Sequence, residues 1–516
     1  MKNCFKIICR NSKLSLIQGH TVQRLMERNC PNTDVRVLSK PSRGDLDTTT
    51  PLYKMGDKNI FTKDIEAVLE AGGADFAVHS MKDVSADKLT DPNFRVAIIE
   101  RNDVRDVVVF RNNILEILAS GQPIRLGTSS LRRTELIPPF LQKALPKLSD
   151  VPIQIDVLNI RGNVDTRLRK LRSGAFDAIA LAAAGLNRLL EHESDIADLL
   201  KGMHIMLLPL TEVPPAAGQG ALLVECLAAN TRAVALLPAI HQPDLMPNLL
   251  KERAFSQLHG AGCHQRFGVV NMDFKGMNLS ILKGKSGDKR IDEFHFENQL
   301  KGLIVGKKLV SATHFMRDFF DYEYFTIDEH FISKLQKMPT IFVAHHRTAT
   351  DANVLNILKS KNVWASGTKT WFELAQKGVW VNGCSEGFGF EYLNPVFERP
   401  LFHTLKKDIL ILTNEGAEAH WQPKYQTAST YRLIPNLTAR VSAEIQLADA
   451  VFWTNFEQYQ ISKHLLKPNV IHACAAGKTA ELFVNQGIMP VVFINIKAFI
   501  RTQPNSNFLF HTSNPI

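Results

Sequence analysis

Arginine is the residue type that first suggests chemistry here. Between Arg125 and Leu190 stand eight arginines (Arg125, Arg132, Arg133, Arg161, Arg167, Arg169, Arg172, Arg188) and three lysines, against five acids. The surplus of six is more than half of the chain's formal charge of +10. A guanidinium fork grips a carboxylate or phosphate through two parallel hydrogen bonds. Placement matters as much as number. Arg132, Arg133 and Arg161 follow apolar runs directly, beside Ser and Gly, and do not lie along the outer stripe of a helix. At such strand ends and first helical turns, backbone N–H groups and the helix dipole also favour anions. Two readings stay open: a pocket for an anionic small molecule, or a solvated basic face. Nucleic acid is weaker, because no helix–turn–helix, zinc-finger or aromatic RNA-binding pattern occurs.

Other chemistries have little support. The seven cysteines are scattered without a CxxC pair. That argues against a disulfide framework and a zinc site and suits a reducing cytoplasm. Each cysteine by default reads as a small buried hydrophobe. No P-loop and no Rossmann glycine run occurs, so no metal or nucleotide is expected. Asp83, before a short polar stretch, by itself reads as a helix N-cap.

The elements that must position these residues alternate regularly. FKIIC (5–9), VRVLS (35–39), FAVHS (76–80), IRLGTSS (124–130), IDVLNIRG (155–162) and AIALAAAG (178–185) are apolar runs ending in Gly, Ser or other polar residues. Helical patterns such as SLIQGHTVQRLMER (15–28) lie between them. This predicts an α/β fold with mainly parallel sheets, whose ligands sit beyond the carboxyl ends of the strands. Those ends carry His79, Ser80, Thr128, Ser129, Ser130, Arg161 and Gly162. PLTEVPPAAGQGALLVEC (209–226) reads as a return crossing between two lobes, and 245–305 as a small α+β unit. The stretch 310–335, rich in Phe and Tyr, fits no period; from Thr340 the α/β rhythm resumes. VWASGTKTWFELAQKGVWV (363–381) and IHACAAGKTAELFVNQGIMPVV (471–492) look like a weak internal repeat. With 516 residues, 45% of them hydrophobic and 22% charged, three or four globular domains are expected; a disordered chain, a collagen and a coiled coil are excluded. No apolar run is long enough to span a membrane, and Lys6 and Arg10 interrupt any signal-like start.

Eight segments in register resemble one family. They are RNSKLSL (10–16), RGD (43–45), TPLYKMGDKNIFTKDIE (50–66), HSMKDV (79–84), GTSSLRR (127–133), RGNVDTRLRKL (161–171), AAAGLNRL (182–189) and GQGAL (218–222). Their order and spacing resemble hydroxymethylbilane synthase, or porphobilinogen deaminase, over about residues 1–270. The resemblance implies an enzyme that joins four porphobilinogen units head to tail with release of ammonia, on a covalent dipyrromethane primer. The bound linear chain at full extension would hold twelve carboxylates, which suits the arginines. By motif, Asp83 would be the catalytic carboxylate, stabilising the azafulvene cation and moving protons. Cys263, in the glycine turn HGAGCHQRFG (259–268), would carry the primer, with His264 and Arg266 favouring thiolate. Lys82, Thr128, Ser129, Ser130, Arg132, Arg133, Arg161 and Gly162 would hold the primer. Arg10, Ser12, Lys54, Lys58, Ser80, Arg167 and Arg188 would hold substrate. The chain departs from the family at Gly56-Asp57-Lys58-Asn59, where a glycine-richer lid is usual, at Ser85, and just after Cys263. Fewer glycines predict slower lid exchange. The deaminase part is expected to be monomeric and cytoplasmic, without nucleic acid or membrane.

Beyond about residue 306 the chain resembles, more loosely, uroporphyrinogen-III synthase. The matching segments are ILILTNEGAE (409–418), TYRL (430–433), ADAVFWTNFEQ (448–458) and AAGKTAELFVNQG (475–487). The resemblance implies a second site using Tyr431, Thr454, Thr370 and Thr479, which would close the linear tetrapyrrole. The expected architecture is therefore two periplasmic-binding-protein-like lobes (1–106 with 208–230, and 107–207), a small α+β domain (231–305) with the primer cysteine, and a two-lobed α/β region (306–516). Two alternatives remain: a deaminase with a degenerate C-terminal domain, or a non-catalytic two-lobed anion-binding protein.

Overall fold

The apolar runs of the first half each become a buried strand. In this computed structural model, residues 3–47, 60–259, 265–274, 277–297, 308–311 and 316–500 are described. Strands β1 (Asn3–Arg10), β2 (Thr33–Lys40), β3 (Phe76–Ser80) and β4 (Phe94–Arg101) enter one sheet. Strands β5 (Asp106–Phe110), β6 (Ile124–Gly127), β7 (Ile155–Leu158), β8 (Ala178–Ala182) and β9 (His204–Leu207) form a second, and β10 (Ala221–Leu227) returns to the first. The strand orders are β2-β1-β3-β10-β4 and β7-β6-β8-β5-β9.

The sheets are less parallel than the sequence suggests. β1 runs parallel to β2 and β3, and β6 to β7 and β8. β10 is antiparallel to β3 and β4, and β5 to β8 and β9. The reason is connectivity. β5 and β10 arrive from the opposite lobe, not from a crossover helix on their own, so they run against their neighbours. The two crossings touch: the Leu208 N–H donates to the Asp106 carbonyl at 2.9 Å, and Asn102 N–H to the Gly220 carbonyl at 3.1 Å. Gly220 has φ +84°, and a Cβ there would lie 2.4 Å from the Asn102 oxygen, so only glycine fits.

The helix Met246–Leu258 leads into a three-stranded antiparallel sheet of β11 (Arg266–Phe274), β12 (Met277–Ser286) and β13 (Lys289–Glu297). Beyond it, β14 (Leu309–Ser311), a one-turn helix Met316–Phe319, β15 (Phe320–Tyr324) and the helix Glu329–Lys337 account for the unreadable stretch. Elements that short leave no measurable period. There follow β16 (Thr340–Val343), β17 (Asn362–Ala365), β18 (Gly383–Cys384), β19 (Ile409–Thr413), β20 (Gln426–Ser429), β21 (Tyr431–Pro435), β22 (Ala450–Trp453), β23 (Ile471–Ala475) and β24 (Val491–Phe493). They build two parallel sheets, β18-β17-β16-β19-β20 and β14-β22-β23-β24, with an antiparallel β15-β21 ladder between them in the chain. The suspected repeat has a structural counterpart. β17 leads through Gly367 into the helix Thr368–Gln376, and β23 through Gly477 into Lys478–Asn485. Gly378 and Gly487 follow these helices at φ 78° and 75°.

The C-terminal half shares its core with the second lobe. Phe110, Ile137, Phe140 and Leu141 cluster with Trp371, Leu374, Trp380 and Val381. Leu186, Leu189 and Ile196 cluster with Phe342, Trp364 and Phe397. Phe140 and Trp371 meet edge to face at 5.3 Å, and the Trp371 Nε1–H donates to the Ala144 carbonyl at 3.0 Å. Each large side chain buried this way stabilises by roughly 1.5–3 kcal/mol. Asn382 closes the edge of β9, accepting from Leu207 N–H at 2.7 Å and donating to the Ile205 carbonyl at 3.1 Å. Among the described residues no helix is long and apolar enough to cross a membrane.

Candidate active site

A cleft of about 590 Å³ opens between the two lobes and the helix Met246–Leu258. Arg10, Ser12, Ser80, Lys82 and Asp83 line it from the first lobe. Ser129, Ser130, Arg132, Arg133, Arg161, Gly162, Arg167 and Arg188 line it from the second. Thr128 lies beneath that surface; its hydroxyl accepts from Ser130 N–H at 3.2 Å. Lys54, Lys58 and Cys263 lie outside the described residues, as do the altered lid at 56–59 and His264.

Asp83 does not cap an α-helix. β3 stops at Ser80, and Asp83 ends the single 3-10 turn Met81–Asp83; the next turn starts after Ser85. The Arg253 guanidinium donates to the Met81 carbonyl and so steadies that turn from the third unit. Burial lowers the pKa of the Lys82 ammonium; Asp83 opposes this, and Arg133 and Arg132 add to it.

The arginines fall into two groups. The first is already paired. Asp106, the first residue of β5, holds Arg132 at 2.8 Å and Arg133 at 2.7 Å. Burial alone would raise the Asp106 carboxyl, but these two guanidinium groups outweigh it and hold it well below the usual carboxylate range. Arg132 also donates to the Pro214 carbonyl at 2.9 Å and Arg133 to Ala180 at 3.0 Å. Arg10 is ion-paired to Asp45, and Arg188 to Glu100 at 2.7 Å. The second group reaches backbone carbonyls. Arg161 reaches across the cleft and donates to the Gly44 and Asp47 carbonyls at 2.9 and 2.8 Å. Arg167 donates to the Gly162 carbonyl at 2.7 Å. Its pKa is pushed down to about 10, first by burial, then by Arg133, Arg161 and Arg10. A guanidinium is effectively always charged. Crowding that disfavours its charge therefore marks a place where an anion would be stabilised. The Nε atoms of Arg133 and Arg253 are buried without a partner, which adds two unmet donors near this surface.

The hydroxyl residues divide similarly. Ser12 and Ser130 cap the helices Lys13–Asn29 and Leu131–Ala144, accepting from Ser15 and Arg133 N–H groups. Ser129 donates to Asn159 Oδ1 at 2.6 Å, and Ser80 accepts from Gln18 Nε2 at 3.0 Å. These contacts place the hydroxyls on the cleft wall and leave their remaining hydrogen-bonding capacity for a ligand.

Sequence reasoning missed Arg253 and Asp106. Arg253 stands ten residues before Cys263, on the helix Met246–Leu258, a spacing that was readable. Asp106 had only one signal: a charge opening the apolar run DVVVF. Glu66, His79 and Glu225 bring ligand atoms within 4.8 Å of one another. The Lys88 ammonium already sits among them, 3.0 Å from Glu66 and 3.4 Å from Glu225, and supplies the positive charge a metal would bring.

In the C-terminal half, Thr479 Oγ1 donates to the Thr454 carbonyl at 3.4 Å, at the ends of β22 and β23. Thr370 lies on the helix Thr368–Gln376 that follows β17 of the other sheet, its hydroxyl 3.3 Å from that of Ser366. Tyr431 opens β21 in the ladder, 6.0 Å from the Tyr322 ring and 5.8 Å from Tyr324. Burial pushes its hydroxyl pKa up. The two sheets approach at Gly387: a Cβ on Gly477 would lie 2.9 Å from the Gly387 oxygen, and one on Gly367 3.8 Å from its nitrogen. The N-termini of the helices bearing Thr370 and Thr479 thus converge.

Comparison with known proteins bears on the first half. The family model for the porphobilinogen deaminase dipyromethane cofactor binding domain matches residues 5–235. The porphobilinogen deaminase of Synechococcus elongatus is 37% identical over 268 residues, 51% of this chain and 77% of that protein. Those of Thiobacillus denitrificans (39% over 265 residues; 51% and 79%) and Prochlorococcus marinus (37% over 317 residues; 59% and 91%) are similar to it to the same degree. Among solved structures, the VFT2 domain of Bordetella pertussis BvgS covers 49% of this chain and 92% of its own at 14% identity, with a TM-score of 0.26, a weak likeness.

Proposed function

The chain belongs to the porphobilinogen deaminase family, and on that premise we propose that the cleft around Asp83 joins four porphobilinogen units head to tail, releasing ammonia at each addition, on a dipyrromethane group attached to Cys263. The observation that carries this reading is the gathering of Arg133, Arg161, Arg167 and Arg253 with Asp83 in one cleft, where the Nε atoms of Arg133 and Arg253 are buried without a partner and burial with neighbouring cations pushes Arg167 down to about 10. The residues fit such a group. Pyrrole acetates and propionates are the anions that buried, unmet Arg donors would take. When bound, dipyrromethane supplies the carbon to which the first unit is joined.

The chain's own residues would do the rest. Arg161, Arg167 and the Arg132–Arg133 pair hold side-chain carboxylates of incoming and bound rings. Asp83, kept in place by its turn and by Arg253, faces the pyrrole nitrogens. It stabilises positive charge developing there as ammonia leaves, and moves the proton released at the coupling carbon. A non-catalytic anion binder would need the arginines but not the braced acid. Intact-mass measurement of the purified chain tests the reading. A covalent addition of two pyrrole units, absent from Cys263→Ala, and further increments on adding porphobilinogen are expected. A bare polypeptide that stays bare overturns it.

For the C-terminal half we propose a uroporphyrinogen-III synthase-like cyclase. Two parallel sheets joined by a ladder, with the helix N-termini beside Thr370 and Thr479 converging at Gly387, support this. Thr454 and Tyr431 would complete the set that folds the linear tetrapyrrole. The large apolar interface with the second lobe favours a second reading, in which this half serves stability alone. Feeding porphobilinogen to the full chain and identifying the cyclised isomer separates them: the inverted-ring isomer supports the cyclase, and the spontaneous isomer alone supports the second reading.

A further inference from the structure

The two backbone crossings that join the deaminase lobes are gripped from the C-terminal half. On the first crossing, Arg399 donates to Asn102 Oδ1 at 2.9 Å, and the Arg105 guanidinium lies 5.3 Å from the Tyr392 ring. On the second, the Thr211 N–H donates to Glu386 Oε2 at 2.8 Å. The Tyr392 hydroxyl donates to Glu386 Oε1 at 3.3 Å, so two neighbouring side chains bridge both crossings. Around them, Val104 and Leu210 from the crossings pack with Phe388 and with the core of the β22–β24 sheet.

Glu386 is an unusual residue for a merely structural contact. Among the described residues beyond 308 it is the one buried charged side chain. Its backbone holds φ +56°, in the left-handed region that a glutamate rarely adopts. Burial pushes its carboxyl up, against the Thr211 N–H and the Arg105 charge. Backbone strain and a buried acid persist together only where the surroundings hold both, and such places tend to be functional. The first crossing then runs directly into Asp106, whose carboxylate carries Arg132 and Arg133. The contacts thus form an unbroken path from Glu386 and Arg399 to two arginines on the cleft wall.

We propose that Glu386 and Arg399 are positioning residues for the deaminase reaction: from the C-terminal half they set the hinge between the lobes and, through Asp106, the placement of Arg132 and Arg133 toward the substrate carboxylates. The inference rests on the reading of the cleft given above. It assigns the C-terminal half a role in the first reaction that is independent of any cyclase activity of its own.

The test uses the full chain titrated with porphobilinogen, with amide hydrogen exchange followed at 102–106 and 208–212. Glu386→Ala and Arg399→Ala should each raise KM by about 3- to 10-fold while kcat changes less than about 2-fold. Exchange at both crossings should quicken by about 10-fold. Glu386→Gln keeps an acceptor for the Thr211 N–H and should stay within about 2-fold of the parent in both readouts. The Arg399 side chain is partly exposed, so Arg399→Ala carries the test if Glu386→Ala does not fold. An unchanged KM in folded alanine variants overturns the proposal, as does a glutamine variant as impaired as alanine. A parent chain that consumes no porphobilinogen overturns the reading of the cleft instead, while hydrogen exchange still reports whether the hinge is gripped.

Discussion

In the deaminase half many charged side chains are buried: Arg132, Arg133, Arg161, Arg188 and Arg253, with Asp106 holding the first two, Glu252 paired to Arg101, and Glu225 paired to His79 and Lys88. In the C-terminal half Glu386 is the one buried charged side chain among the described residues, and partly buried histidines are held neutral. Burial pushes His472 down to about 4, and burial with neighbouring cations pushes His346 to about 4 and His345 to about 3. The aromatic content differs in the same sense, with Trp364, Trp371 and Trp453 fully buried in the second half. The difference teaches that the first half tolerates buried, partly uncompensated charge, which is costly without a ligand. The second half, packed against the first, supplies apolar stability of the kind that a cationic cleft cannot.

Four changes would break or sharpen this contrast. Asp83→Asn should lower turnover by about 10²- to 10⁴-fold while the covalently bound pyrrole group persists by mass. Activity near that of the parent would remove Asp83 from its assigned role. Trp371→Ala opens the shared core and should cost about 3–5 kcal/mol. Calorimetry should show one transition lowered as a whole; two separated transitions would mean that the halves fold independently.

The third change is pH. The histidines have folded pKa values below their ordinary 6.5, so the unfolded state binds more protons between about 4 and 6.5. Stability is therefore present above that window and is lost as pH falls through it. In the deaminase half burial also lowers His204, and the depressed carboxylates include Asp106 and Glu225, whose contribution is lost only as pH falls below the ordinary carboxylate range. The thermal midpoint should fall between pH 7 and 5, and His472→Gln should flatten that slope; a midpoint independent of pH would refute the assignment. The smallest effect is expected at the second site. Thr479→Val should reduce formation of the inverted-ring isomer by about 2- to 10-fold, the worth of one neutral hydrogen bond, and leave porphobilinogen consumption unchanged.

Much of the deaminase cleft was legible because its residues follow strand ends, where a change from apolar to Ser, Gly or Arg is visible over a few positions. GTSSLRR and RGNVDTR are such places. Asp106 and the antiparallel entry of β5 and β10 were not legible. Both depend on which lobe the chain comes from, and local periodicity carries no record of that. Glu386 escaped for a similar reason: its partner Thr211 lies 175 positions away.

The amino-acid order by itself determined the strand and helix segments, the density of positive charge, and the motifs that relate the first half to its family, because each is a property of neighbouring residues. Only the tertiary structure decided which arginines are already neutralised and that the second half shares a core with one lobe and holds the hinge of both. Pairing and burial arise between side chains far apart in the chain, and they appear only once the backbone has brought those side chains within a few ångströms.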